Sequence, residues 1–274
     1  MYNCYIKIKV LKNKKEKSDR GVIIRENSLK VSDISESDFL LNNNEKVKPE
    51  NMIFFDLEHY VYKKPKCIGV FGACVYNKNN HILQVTQYMI ENKDEGQEIL
   101  YLAQKYFKNM KASGKDTIVT FSGNNDFTVI NYLFEKYGIE YDFKKEYKSI
   151  DIQKEYEHEC KRSIGLKKLE KGFGIERESE VISGSNLAKT FHKVMKDKDY
   201  LTRMPKEKLE KILLYNEQDV VNLFYIITNW FKHINELKEI EAKNIQEEKL
   251  KKEKSLNENI RDVKSIEEIE NEVN

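Results

Sequence analysis

The alternation of apolar and polar positions divides the chain into three textures. Residues 4–11 alternate as a half-buried strand does, and the polar, basic stretch 12–21 turns toward a second short strand at 22–24. The Ser- and Asn-rich stretch 32–50 reads as a linker, interrupted by Phe39-Leu40-Leu41. From Met52 the pattern changes. Met52-Ile53-Phe54-Phe55 is a wholly apolar run ending in an acid, which suits a central strand covered on both faces. Two β-rich runs follow at 67–76 and 81–90, joined by the polar loop Asn77-Lys78-Asn79-Asn80. Then come an amphipathic helix (95–112), a strand (117–121), a helix (127–137), a short strand ending at Asp151, and helical patterns that include a long one over 205–230. The order β-β-β-α-β-α-β-α predicts an α/β fold, a mixed sheet flanked by helices, in which catalytic groups collect at strand ends.

Residues 232–274 lack aromatic side chains and space Ile or Leu among alternating charges. A solvated helix or a disordered tail is the favoured expectation, and a coiled-coil contact with a partner is the alternative. The expected organisation is therefore an N-terminal β appendage and linker (1–50), a main domain (51–231) and a charged tail (232–274).

Composition changes this picture little. A chain of 274 residues with 39% hydrophobic content can bury one sizeable core, and a net charge of +2 selects neither a polyanionic nor an acidic partner. The tail holds nine Lys/Arg against twelve Asp/Glu, so residues 1–231 carry the balance of +5, a weak pull toward a polyanion. Cys4, Cys67, Cys74 and Cys160 show neither zinc-site nor disulfide spacing and read as reduced, mostly buried thiols. With no signal peptide and no run of 18 apolar residues, the expectation is a soluble, cytoplasmic protein without a membrane partner.

Three segments carry chemistry. In Phe54-Phe55-Asp56-Leu57-Glu58 the two acids, two apart on a strand, share a face. Acids at this spacing arise about eight times by chance in so acidic a chain, so the weight lies in the apolar strand around them. Like charges at the end of a buried strand are costly without a cation, unless the strand simply ends in solvent. In Thr120-Phe121-Ser122-Gly123-Asn124-Asn125-Asp126-Phe127, Asp126 opens a helix and is either its N-cap or a site acid. In Leu214-Tyr215-Asn216-Glu217-Gln218-Asp219-Val220, Tyr215 and Asp219 lie one turn apart on one face, where Asp219 is either a site acid or a surface ion-pair partner.

Together the segments resemble the DEDD exonuclease superfamily, in its tyrosine subclass: D-x-E on the first strand, an acid opening a helix after a strand, and Tyr four residues before the last acid. Within it the chain is similar to the YprB-type ribonuclease-H-like group, on Tyr215-Asn216-x-x-Asp219-Val220, on the stretch from Gly165 through Gly172-Phe173-Gly174-Ile175-Glu176-Arg177, and on Gly184 with Phe191. The likeness covers about residues 52–230. One departure is the second motif, whose order Asn124-Asn125-Asp126-Phe127 differs from the relatives' Asn followed by Phe-Asp.

The resemblance implies a ribonuclease-H-like fold and a 3′–5′ exonuclease acting on single-stranded DNA or RNA with two divalent cations, Mg²⁺ or Mn²⁺. Asp56, Glu58 and Asp219 would hold one ion, and Asp56 with Asp126, through waters, the second; all-oxygen sites suit these hard cations. Tyr215 would orient the attacking water, since a phenol with pKa near 10 is a poor base at neutral pH. Lys167 and Lys168 are candidates for phosphate contacts, and His59 or Tyr60 for stacking on a terminal base. The rival expectations are a catalytically silent nucleic-acid-binding module and an endonuclease of ribonuclease H type.

Overall fold

The computed structural model describes residues 9–31, 34–42, 45–177 and 183–272. The expected strand residues 4–8 and Cys4 lie outside them. In chain order the strands are β1 (Lys9–Lys17), β2 (Ile23–Lys30), the short β3 (Leu41–Asn42) and β4 (Glu45–Lys46), β5 (Met52–Tyr62), β6 (Lys64–Asn77), β7 (Ile82–Met89), β8 (Thr117–Thr120) and β9 (Lys148–Asp151). The helices are α1 (Glu98–Ala112), α2 (Asn124–Lys136), α3 (Phe143–Glu146), α4 (Ile152–Cys160), α5 (Leu166–Gly172), α6 (Gly184–Lys196), α7 (Lys206–Thr228) and α8 (Trp230–Glu272).

Among the described residues, seven strands form one mixed sheet in the order β1-β2-β7-β6-β5-β8-β9. Strands β1 to β7 pair antiparallel, whereas β5-β8 and β8-β9 are parallel. Helices cover both faces of the central strands, which is why those strands read as apolar runs. On one face Ile53, Phe55 and Leu57 pack with α1 and α2, and on the other Met52 and Phe54 pack with α7, where Phe54 meets Phe224 edge-on at 5.4 Å.

The N-terminal hairpin is longer than its pattern suggests, and β2 is hydrogen-bonded along its whole length to the edge of β7. Its inward row is Ile23, Arg25, Asn27 and Leu29. Arg25 and Asn27 disguise the strand in the sequence, yet both are buried against Glu217 of α7: Asn27 donates a hydrogen bond to it and Arg25 lies 3.5 Å away. Described residues of the stretch expected as a linker pack down as well. Phe39, Leu40 and Val47 are buried, and the Leu40 N–H donates to Ile227 O at 2.9 Å.

The charged tail is helical through Glu272. Trp230 and Ile234 at the start of α8 are buried, and Arg162, just after α4, reaches Glu241 at 3.5 Å and Glu248 at 2.7 Å. Among the described residues, no helix is long and apolar enough to cross a membrane. Cys67, Cys74 and Cys160 are buried free thiols.

Candidate metal centre

The site arises where the parallel part of the sheet stops. Strand β8 pairs with β5 only from Met52 to Phe54, so β5 outruns it. Asp56 and Glu58, on the same face as Phe54, are the next two residues of that row and project toward α7. From α7 comes Asp219. Carboxylate oxygens of Asp56, Glu58 and Asp219 all lie within 4.8 Å of one another. Glu58 and Asp219 are buried and Asp56 is half-buried.

Asp126 sits in the first turn of α2, where Gly123 is the N-cap, so the capping alternative for Asp126 does not hold. It is buried, with an oxygen 3.9 Å from His59 Nε2, and it stands outside the three-oxygen group. It is still close enough for the charges of Asp56 and Asp219 to raise its own pKa. The turn that delivers it is strained. Ser122 has φ +56°, and its N–H is held by Asp151 Oδ1 at 2.9 Å, so β9 fixes the entry to α2.

Burial dominates the electrostatics. Desolvation pushes Asp56 up to about 6, against stabilising contacts from Asn216 and Arg177. It pushes Glu58, Asp126 and Asp219 well above the usual carboxylate range, with mutual repulsion adding to the effect. Among the described residues one cation, Arg177, is hydrogen-bonded into the group. Arg177 donates to Asp219 and grips Glu170 through Nε at 2.6 Å, and Asn222 fixes Glu170 at 2.9 Å. Burial opposes the guanidinium's charge, but Glu170 and Asp219 outweigh it and keep Arg177 firmly protonated. Arg177 answers Glu170 as well as Asp219, so it does not neutralise the remaining carboxylates. A buried set of oxygen donors with this deficit of positive charge fits a divalent cation.

The sequence concealed the supports of Asp56. Register places Asp56, Gly72 and Gln87 in one row across β5, β6 and β7. Asn216 of α7 lies over Gly72, donating to Asp56 Oδ2 at 3.0 Å and accepting from Gln87 Nε2 at 2.8 Å. A Cβ on Gly72 would fall 2.0 Å from Asn216 Oδ1, so only glycine permits this bridge. The acid-and-tyrosine pattern showed neither Asn216 nor Arg177 in these roles, although both fall within the stretches that carried the resemblance.

Tyr215 lies one turn before Asp219, with Lys167 Nζ 5.3 Å and Arg177 Cζ 5.2 Å from its ring centroid. Burial and the nearby acids raise its pKa above the ordinary phenol value, so it stays protonated. Lys168 is exposed on α5. His59 is half-buried beside Asp126, where burial lowers its pKa and keeps it neutral. Tyr60 is held by His192, its hydroxyl 2.6 Å from Nδ1.

A mixed sheet whose acids gather where the parallel strands end, under a helix carrying the last acid, is the fold of ribonuclease-H-like nucleases. Over residues 53–231 the chain matches the family model described as the RNase_H superfamily, and it belongs to that family. No curated protein and no solved structure matches it.

Proposed function

We propose that the protein is a metal-dependent 3′–5′ exonuclease of the DEDD tyrosine subclass, YprB-type, which hydrolyses single-stranded DNA or RNA. The observation that carries this reading is the meeting of Asp56, Glu58 and Asp219 within 4.8 Å, with Tyr215 one helical turn away. Asp56, Glu58 and Asp219 would hold one Mg²⁺ or Mn²⁺, and Asp56 with Asp126 a second. Bound there, such ions would supply charge to neutralise the phosphate, acidify the attacking water and stabilise the leaving oxygen.

The chain's own groups do the rest. Asn216 holds Asp56 in place, and Arg177 limits the repulsion on Asp219. The protonated Tyr215 hydroxyl donates a hydrogen bond that orients the water for in-line attack, a positioning role that needs no proton transfer from the phenol. Lys167, with its Nζ 5.3 Å from the Tyr215 ring centroid, would meet a phosphate there.

The test is degradation of single-stranded DNA and RNA, labelled at either end, with Mg²⁺ or Mn²⁺ and with chelator. Mononucleotides released from the 3′ end only with metal are expected. Cutting of circular strands would replace this reading with an endonuclease, and clean binding without hydrolysis would replace it with a silent module.

A further inference from the structure

A groove of about 530 Å³ runs between α6 and the first half of α7. Lys189 and Lys193 rim it from α6, and Lys208 and Lys211 from α7; among the described residues Glu207 is the single acid in its lining. All four lysines are exposed, and among the described residues none of them forms an ion pair with an acid. The floor is apolar, with Leu187 and Ile212 buried, and Tyr200 is half-buried at the side with Lys193 Nζ 5.5 Å from its ring centroid.

The position of the groove follows from helical spacing. Lys208, Lys211, Tyr215 and Asp219 succeed one another at three- and four-residue steps, and Ile212 stands four residues after Lys208, so the α7 wall continues the same stripe that bears Tyr215 and Asp219. Four residues, about 6 Å along the helix axis, separate Lys211 from Tyr215. The α6 wall is tied to the other acid-bearing element. His192 bonds Tyr60 of β5 at 2.6 Å, and Phe191 packs so closely on Gly69 of β6 that no Cβ would fit there. Both walls are therefore fixed to the elements that hold the carboxylates.

Charge sign distinguishes this groove from other concavities. The one near α3 sets Lys108, Lys111 and Lys145 against Glu140, Asp142 and Glu146, and so has no preference for an anion. A rim of four lysines against one glutamate, above an apolar floor with an aromatic side, suits a chain that is charged along its backbone and flat and apolar in its bases.

We infer that the α6–α7 groove holds the single strand that leads to the metal centre, with phosphates on Lys189, Lys193, Lys208 and Lys211 and a base on the floor beside Tyr200. The inference rests on the nuclease reading of the centre and extends it from the scissile bond to the body of the substrate.

The test compares the wild type with the quadruple variant Lys189→Gln/Lys193→Gln/Lys208→Gln/Lys211→Gln and with the same four positions changed to Arg. Anisotropy reads binding of a 12-nucleotide oligothymidylate and oligouridylate in EDTA across a KCl series, and a separate assay reads Mn²⁺-dependent hydrolysis of a dinucleotide. In the Gln variant the log-log salt slope is expected to fall by about 2 to 3, at roughly 0.7 per lost phosphate contact. Dinucleotide hydrolysis is expected to persist, and the Arg variant to bind as the wild type does. Unchanged 12-mer binding by the folded Gln variant overturns the inference. So does an equal loss of dinucleotide hydrolysis, or binding of acidic peptide or anionic vesicles by a wild type that ignores the oligonucleotides. A wild type that binds the 12-mer through these lysines but never cleaves it upholds the groove and removes the nuclease reading.

Discussion

At the scale of residues, the centre is a balance between one guanidinium and several carboxylates. Asp219→Asn removes a ligand oxygen's charge while keeping the shape, so hydrolysis should fall to background in a protein that melts normally. Tyr215→Phe deletes only the orienting hydroxyl and should leave a measurable rate; equal rates in the two variants would count against the proposed roles. Arg177→Gln separates charge from structure. Loss of a neighbouring cation should tighten Mn²⁺ binding, read by calorimetry, whereas a purely structural role predicts weaker binding. The pH dependence has a definite sign. Asp56 binds protons more tightly folded, at about 6, than its ordinary 3.8, so the metal-free protein loses stability as pH rises across that window. A divalent ion removes that penalty. The gain in Tm on adding Mn²⁺ should therefore grow from pH 5 to pH 7.5, and a gain independent of pH would contradict the buried-carboxylate account.

At the scale of elements, β5 and α7 carry the site, and both were legible. The apolar run before Asp56 and the long helical period around Tyr215 belong to buried elements whose pattern is set by local side-chain direction. The support of Asp56 was hidden because it depends on register. Gly72, Gln87 and Asn216 come together only when three strands and a helix are assembled, and a lone glycine in a strand has many readings. Gly72→Ala should displace Asn216, costing about 1–3 kcal/mol of stability by overpacking and lowering metal affinity as Asp56 loses its hydrogen bond. Chemical denaturation together with Mn²⁺ titration checks both; a variant as stable and as avid as the wild type would show that the bridge is dispensable.

At the scale of the whole molecule, the chain order of the elements from β5 to β9 was legible in the sequence, whereas the spatial order of the strands and the far edge of the sheet were not. The β2 strand was hard to see because its inward positions hold Arg25 and Asn27, polar residues that make sense only opposite Glu217. The stretch 32–50 looked like a tether because its few apolar residues are scattered, yet Leu40 is 2% exposed and bonded to the C-terminal half of α7. Leu40→Ala should then cost about 2–5 kcal/mol in denaturant unfolding, as a core truncation does, while a free tether would give almost none.

Arg177 has one more consequence. Small metal domains of the zinc-finger kind stay unfolded until their ion arrives, because nothing else quiets their ligands. Here an internal guanidinium already offsets part of the acidic pocket, so the polypeptide can reach its native shape unloaded. On the proposed function, the supply of divalent cation would then act as a throttle on a finished scaffold, setting when it works without deciding whether it forms.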